Sequence, residues 1–265
     1  MIKNNDTILK TIFVAITLCL ICSAIISSAA VGLRDIQNAN KKLDQQSKVL
    51  ASAGLLEQNK SIEELFSSIE EKILDLRSGE FVDSMDLENF DPKLLARNID
   101  TSIALSSDQD IAILKRRENY QKIFLHYDED QLSSIILPVR GYGLWGTLYG
   151  YLALKPDLQT IIGLEFYEHK ETPGLGAEVD NPRWKNIWKG KKIYGDEYKV
   201  LISVIKGTVN KQSQNSNYQV DGLSGATITS KGVSNLLSFW LGDLGYLPFI
   251  KKIKKRLSSE EITNV

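Results

Sequence analysis

The sequence predicts an α+β protein: an N-terminal transmembrane helix followed by a domain in which an antiparallel sheet is flanked by helices. Three observations predict it. Residues 11–33 carry no charge and are mostly apolar. From Tyr120 onward, short runs rich in β-branched, aromatic and leucine residues follow one another, with turns between most of them. After Ser230, apolar residues recur at helical spacing.

The chain has 265 residues, 43% apolar and 25% charged. That is the composition of an ordinary folded protein, with room for one or two domains. Net charge is -1, so there is no overall basic field and no nucleic-acid partner is expected. The cysteines are Cys19 and Cys22; the histidines are His126 and His169. Beyond residue 22 the chain has no means of forming a disulfide, a thiolate zinc site or a cysteine-held iron–sulfur cluster. No metal site is expected, and redox chemistry would need an organic cofactor.

Taken in order, "TIFVAITLCLICSAIISSAAVGL" (Thr11–Leu33) lies between Lys10 and Arg34. As a helix it spans roughly 34 Å, enough for a hydrocarbon core of about 30 Å. "SSAA" could serve cleavage of a signal peptide, but the run is longer than a usual signal core. Residues 1–34 therefore read as a retained anchor. Lys3 and Lys10 precede the span; Arg34, Lys41, Lys42 and Lys48 follow it. That count would leave the large domain inside, but long domains translocate largely regardless of charge. Cys19 and Cys22 read as apolar filler, or as a contact with a neighbouring protein of a complex.

Residues 35–119 are assigned to a helical stalk and a helical and loop region. Asp35–Leu55 is polar and helix-prone. "SIEE" from Ser61 is a capping box. Ile62, Leu65, Phe66, Ile69, Ile73 and Leu76 continue at helical spacing, and Gly79 ends the pattern. Glu80–Asn119 mixes short helical turns with acidic loops.

Residues 120–265 are assigned to one folded domain. Strands are expected at Lys122–Tyr127, Ser134–Val139, Thr147–Leu154, Ile161–His169 and Tyr198–Gly207. The insertion Lys170–Glu197 holds loops and a short helix, with Asn181 as cap, Pro182 first, and Trp184 and Trp188 on one face. Val233, Leu236, Leu237, Trp240 and Leu241 form one face of a helix, with Thr229 or Ser230 as its cap. "IKKIKKRL" (Ile250–Leu257) closes the fold. Its cations are either a solvated face or a contact with a membrane surface or a neighbouring protein.

Three glycine-bearing stretches stand out. "RGYGLWGTLYGY" (Arg140–Tyr151) interleaves glycines with aromatics, which suits either a flat ligand or a tight hairpin. In "ETPGLGAE" (Glu171–Glu178), Pro173–Gly174 suits the centre of a type II turn, a loop that can aim backbone N–H groups at one acceptor. "DGLSGATITS" (Asp221–Ser230) carries the hydroxyls of Ser224, Thr227, Thr229 and Ser230 and contains no histidine, cysteine or lysine. A nucleophile needs a base, and the G-x-S-x-G elbow is missing. Hydroxyls and glycine before a helix can cradle a phosphate. A turn with a hydroxyl-rich cap is the plainer alternative.

Together these stretches resemble the FMN-binding domain family. "DGLSGAT" matches its flavinylation motif, and "HKETPGLG" matches the loop that lies against the flavin in that family. "GLWGTLYGYLAL" and "GAEVDNPRWKNIWKGKK" are similar, more narrowly, to the NqrC family, the flavoprotein subunits of sodium-translocating NADH:quinone oxidoreductases. The resemblance is close over Leu137–Ile250, loose over the anchor, and one of character over Asp35–Asn119.

The resemblance implies FMN joined covalently through its phosphate to Thr227 by a separate flavin transferase, with Asp221 as a recognition mark for that enzyme. It implies that Glu171, Thr172, Gly174 and Leu175 meet the isoalloxazine ring, largely through backbone groups. Ser224, Gly225 and Ala226 would line the phosphate and ribityl chain, and Lys206 would be a nearby cation. Trp145 and Tyr142 would flank the ring or pack in the core. The implied protein is a membrane-anchored flavoprotein with no catalytic residues of its own. It crosses a bacterial inner membrane once through residues 11–33, with an extracytoplasmic domain on the periplasmic side, and relays single electrons between subunits. NADH, quinone and sodium would be handled by the rest of the complex. No G-x-G-x-x-G dinucleotide fingerprint is read, and one span is too little for an ion pathway. Two other readings are the G subunit of the related ferredoxin/NAD electron-transport complex, and a non-redox membrane-anchored binding protein.

Overall fold

The computed structural model describes residues 7–263, with side chains through Arg256. Residues 1–6 of the expected anchor, Lys3 among them, and the last two residues of the expected 120–265 domain lie outside the described residues, as does the side chain of Leu257. Contacts divide the chain into two compact units, Met1–Asp44 and Gln45–Val265.

The first unit holds α1 (Ile8–Gly32) and the start of α2 (Arg34–Ala53). No side chain of α1 is buried within the protein, and the helix is long and apolar enough to cross a membrane. Ser28 returns its hydroxyl to the Ala24 carbonyl at 2.8 Å, so this polar group needs no partner from outside.

The second unit takes the rest of α2, then α3 (Ile62–Phe66), β1 (Ile69–Asp75), β2 (Glu80–Phe81), α4 (Pro92–Arg97), β3 (Ser102–Ala104) and β4 (Arg116–Glu118). There follow β5 (Tyr120–Asp128), β6 (Gln131–Tyr142), β7 (Thr147–Leu154), β8 (Ile161–Glu168), α5 (Pro182–Asn186), β9 (Ser203–Val204) and β10 (Gln219–Val220). The chain closes with α6 (Thr227–Trp240) and α7 (Leu247–Thr263). The main sheet runs β2-β1-β5-β6-β7-β8, with every neighbouring pair antiparallel, as the short connections require.

Side chains alternate across this sheet. Leu148, Leu152 and Leu154 of β7 join a large core with Trp240 of α6 and Phe249 of α7. Tyr151 and Ala153 point the other way, against Val49 and Leu50 of α2 and Leu65 of α3. A Cβ added at Gly163 would lie 2.5 Å from the Ser52 carbonyl, so the end of α2 rests directly on β8.

Several expectations are corrected. The helix opened by Ser61 does cap, the Ser61 hydroxyl accepting from the Glu64 amide at 3.2 Å. It stops at Phe66, and Ile69–Asp75 is a strand. Ile69 and Ile73 are four apart, a spacing that satisfies a period of 2 as well as one of 3.6; pairing with β5 decides it. Gly79 turns the β1–β2 hairpin with φ +69° instead of ending a helix. The sheet thus draws strands from before residue 120, and the structural break falls at Asp44/Gln45, not at 119/120.

The strand expected at Tyr198–Gly207 shrinks to β9, which pairs in parallel with β10 outside the main sheet. There the Val204 amide donates to the Ser234 hydroxyl of α6 at 2.9 Å instead of to a ladder partner. The stretch 80–119, which the sequence pattern does not resolve into elements, contributes the β3–β4 hairpin and α4, capped by Asp91. Buried Glu118 pairs with Arg140 of β6 at 2.5 Å. Burial opposes the Arg140 charge, but Glu118 outweighs it and holds the guanidinium pKa above its ordinary value.

Candidate functional site

Three segments meet at the start of α6. The first is the β6–β7 turn, closed by the Gly143 amide donating to the Gly146 carbonyl at 2.8 Å. Gly141, Gly143 and Gly146 do have G-x-G-x-x-G spacing, but they join two antiparallel strands with no helix after them. The run is therefore no dinucleotide fingerprint. Tyr142 is half exposed, its amide held by the Ala112 carbonyl at 2.9 Å, and Trp145 is 63% exposed. Trp145 is thus a surface residue, whereas Tyr151 is buried and stacks on Tyr167.

The second segment is the loop after β8. The Leu175 amide donates to the Thr172 carbonyl at 3.1 Å, and Gly174 between them has φ +74°. This is the turn that Pro173–Gly174 predicts. Thr172 and Leu175 are left exposed. The Leu175 side chain would lie 2.8 Å from a Cβ at Gly225, so the turn leans against the third segment.

Glu171 ties these parts together through its side chain. It is buried, with Oε1 accepting from the Leu144 and Trp145 amides at 2.9 and 3.0 Å. Its Oε2 accepts from the Thr229 hydroxyl at 2.5 Å. The carboxylate is therefore spent on holding the turn and α6 in place, and with its amide donating to His169 the Glu171 carbonyl is what remains for a ligand. His169, the histidine of this loop, is held at both ring nitrogens. Asp180 Oδ2 lies 2.8 Å from its Nε2, while its Nδ1 accepts the Glu171 amide at 3.2 Å. Both ring nitrogens are occupied, so His169 has none left to act as a base.

The third segment is Asp221–Ser230, and the structure sorts its hydroxyls into two kinds. Thr229 and Ser230 are buried: Thr229 donates to Glu171, and Ser230 accepts the Leu223 amide at 3.0 Å. Neither caps the helix. The cap position is Ala226, whose carbonyl accepts the Ser230 amide, and no side chain caps there. After the turn at Gly225, φ +71°, the helix starts three or four residues earlier than a cap at Thr229 or Ser230 implies. Ser224 and Thr227, in contrast, are exposed and make no hydrogen bond to the described residues through their hydroxyls. Asp221 has work inside the fold, its Oδ1 accepting the Val209 amide at 2.8 Å and its carbonyl the Trp184 indole at 2.9 Å.

Beside Thr227 lies a cleft of about 300 Å³ between the β9 segment and α6. Thr227, Lys206, Gly207, Gly222 and Lys231 line it. Lys206 is an expected member of this group. Lys231 is one that sequence reasoning misses, although it stands four residues after Thr227 and so on the same helix face. The arrangement suits a phosphate ester: an exposed hydroxyl, a helix N-terminus and two cations, without a base that would make Thr227 a nucleophile by itself. Among the described residues no cluster could hold a metal ion.

Comparison with known proteins identifies the family. The FMN-binding domain family matches residues 143–242. The C subunit of the Na(+)-translocating NADH-quinone reductase of Pseudomonas aeruginosa is 48% identical over 95% of this chain and 98% of its own length. Its counterpart from Vibrio alginolyticus is 43% identical over 96% and 98%. The crystal structure of NqrC from Shewanella oneidensis superposes with a TM-score of 0.76 at 35% identity, covering 82% of this chain and 99% of that one.

Proposed function

The chain belongs to the NqrC family of Na(+)-translocating NADH-quinone reductase subunits, and from that premise we propose that it carries FMN covalently on Thr227 as a membrane-anchored electron relay. The observation that supports this residue is the division among the hydroxyls. Thr227 is exposed and unbonded at the head of α6 beside the lysine-lined cleft, whereas Thr229 and Ser230 are buried and committed.

When bound, FMN supplies reversible one-electron chemistry. Thr227 Oγ1 would hold its phosphate as an ester, with Lys206 and the first turn of α6 favouring the negative charge. Ser224, Gly225 and Ala226 would leave room for the phosphate and ribityl chain. The Glu171–Leu175 backbone, with Thr172 and Gly174 in its turn, would meet the ring, and Trp145 and Tyr142 would flank it. No side chain here can activate Thr227, so a separate flavin transferase would make the bond. In such an attachment the Thr227 oxygen would replace a leaving group on the phosphorus of a flavin donor, that group departing with its bonding electrons, and the transferase would take up the hydroxyl proton. Asp221 would mark the site for that enzyme. The tether keeps the cofactor on the protein without a deep pocket, and no catalysis is assigned to the chain alone. Other subunits would handle NADH, quinone and sodium. Residues 11–33 would anchor the protein in a bacterial inner membrane with the sheet domain in the periplasm.

The test is in-gel fluorescence under denaturing conditions, on protein made in its native host. We expect a fluorescent band that disappears in Thr227→Ala. A dark wild-type band would rule out the covalent attachment; a fluorescent Thr227→Ala band would put the flavin on another residue.

A further inference from the structure

The cleft beside Thr227 contains more positive charge than one lysine supplies. Lys206 enters it from the segment after β9, and Lys231 from α6. Neither forms an ion pair or hydrogen bond among the described residues. No Asp or Glu lines the cleft. The nearest acid along the chain, Asp221, is engaged by the Val209 amide. Two exposed lysines lining one cleft, with no carboxylate among its lining residues, favour an anion between them. Helix geometry adds direction. Side chains four residues apart share a helix face and lean toward the helix N-terminus, which puts Lys231 on the face of Thr227, and both line the cleft.

We propose that Lys231 and Lys206 form a two-sided cation clamp for the phosphate of FMN, which grips that phosphate by charge independently of the bond to Thr227. This rests on the FMN reading above and names a binding residue for it. Lys231 faces the phosphate from the helix side and Lys206 from the β9 side. The glycines opposite, Gly207 and Gly222, keep the wall of the cleft close to the backbone; a Cβ at Gly222 would run into the Ile205 carbonyl. A phosphate held from both sides fixes the arm of the cofactor, so that the ring is presented from a constant point.

The experiment uses the full-length Thr227→Ala chain in detergent, where no covalent bond can form at that residue, titrated with FMN and with riboflavin. Binding is read from quenching of flavin fluorescence. FMN should bind at least about tenfold more tightly than riboflavin, with an advantage that shrinks as salt is raised. Adding Lys231→Met should cost about tenfold in FMN affinity and leave riboflavin unchanged, and Lys231→Arg should retain most of the binding. Lys206→Met should behave like Lys231→Met. Equal affinity for the two flavins, an Lys231→Met variant that binds FMN normally, or no FMN binding up to millimolar concentration overturns the clamp. None of these outcomes alters the wild-type fluorescent band, which tests the covalent attachment separately.

Discussion

Thr229 Oγ1 lies 2.5 Å from Glu171 Oε2, a contact between residues 58 positions apart in the chain. It joins α6 to the loop after β8. Through Oε1 the same carboxylate holds the β6–β7 turn. Its surroundings leave no room for side chains: a Cβ at Gly176 would run into Oε2, and one at Gly143 would lie 2.6 Å from Oε1. The three segments that frame Thr227 therefore share one anionic pin.

Removing that pin should loosen the site without touching Thr227. Glu171→Ala leaves two amides and the Thr229 hydroxyl without their acceptor, which should cost roughly 2–3 kcal/mol of stability. Thr227→Ala, at an exposed and unbonded hydroxyl, should stay within about 0.5 kcal/mol of wild type. Denaturant unfolding of both variants checks this. Equal stability of Glu171→Ala and wild type would mean that the buried carboxylate holds nothing.

The approach of α6 to the hairpin is the next test. A Cβ at Gly232 would lie 2.5 Å from the Tyr142 carbonyl, a backbone atom that cannot swing aside. Gly232→Ala should destabilise the domain by about 1–3 kcal/mol through overpacking, despite the better helix propensity of alanine. A stabilised variant would show that the helix has freedom to shift.

Alkaline pH should unfold the domain through its buried tyrosines. Burial pushes the Tyr246 phenol well above its ordinary value, and its hydroxyl donates to the Pro138 carbonyl at 2.6 Å. Burial raises Tyr167 and Tyr194 as well, and Tyr194 donates to the Leu241 carbonyl at 2.8 Å. A raised folded-state pKa means tighter proton binding in the fold than in the unfolded chain. The stability so gained is complete below the unfolded value of about 10 and is lost as pH rises beyond it. Phenolate absorbance from these residues should therefore appear together with unfolding. Ionisation of all tyrosines in a still-folded domain would contradict it.

Local rules are legible where one residue type answers one backbone demand. Pro173–Gly174 makes its turn, Asn181 caps α5 by accepting the Arg183 amide at 2.9 Å, and "TLYGYLAL" is β7 from Thr147 to Leu154. Ambiguity enters where periods coincide, as at Ile69 and Ile73, and where tertiary partners decide. The apolar run from Val200 to Ile205 looks like a strand, but most of it lies beside the sheet, its Val204 amide taken by α6. In the site, the motif points to Thr227 but does not divide the hydroxyls, because the partner of Thr229 is a distant glutamate. Lys231 is open to the four-residue rule; only the cleft pairs it with Lys206.

Asp221 carries two expectations that a single substitution separates. Its Oδ1 accepts the Val209 amide, and its charge is the proposed mark for the flavin transferase. Asp221→Asn keeps a side-chain oxygen in the same place and removes the charge. If the charge is what the transferase reads, the fluorescence of the denatured band should fall sharply while unfolding stays within about 1 kcal/mol of wild type. Asp221→Ala should lose both flavin and stability, since the Val209 amide then has no acceptor. Full labelling of Asp221→Asn would assign Asp221 to the fold alone. The motif would then be recognised through its shape, by the turn at Gly225 and the exposed Ser224 and Thr227.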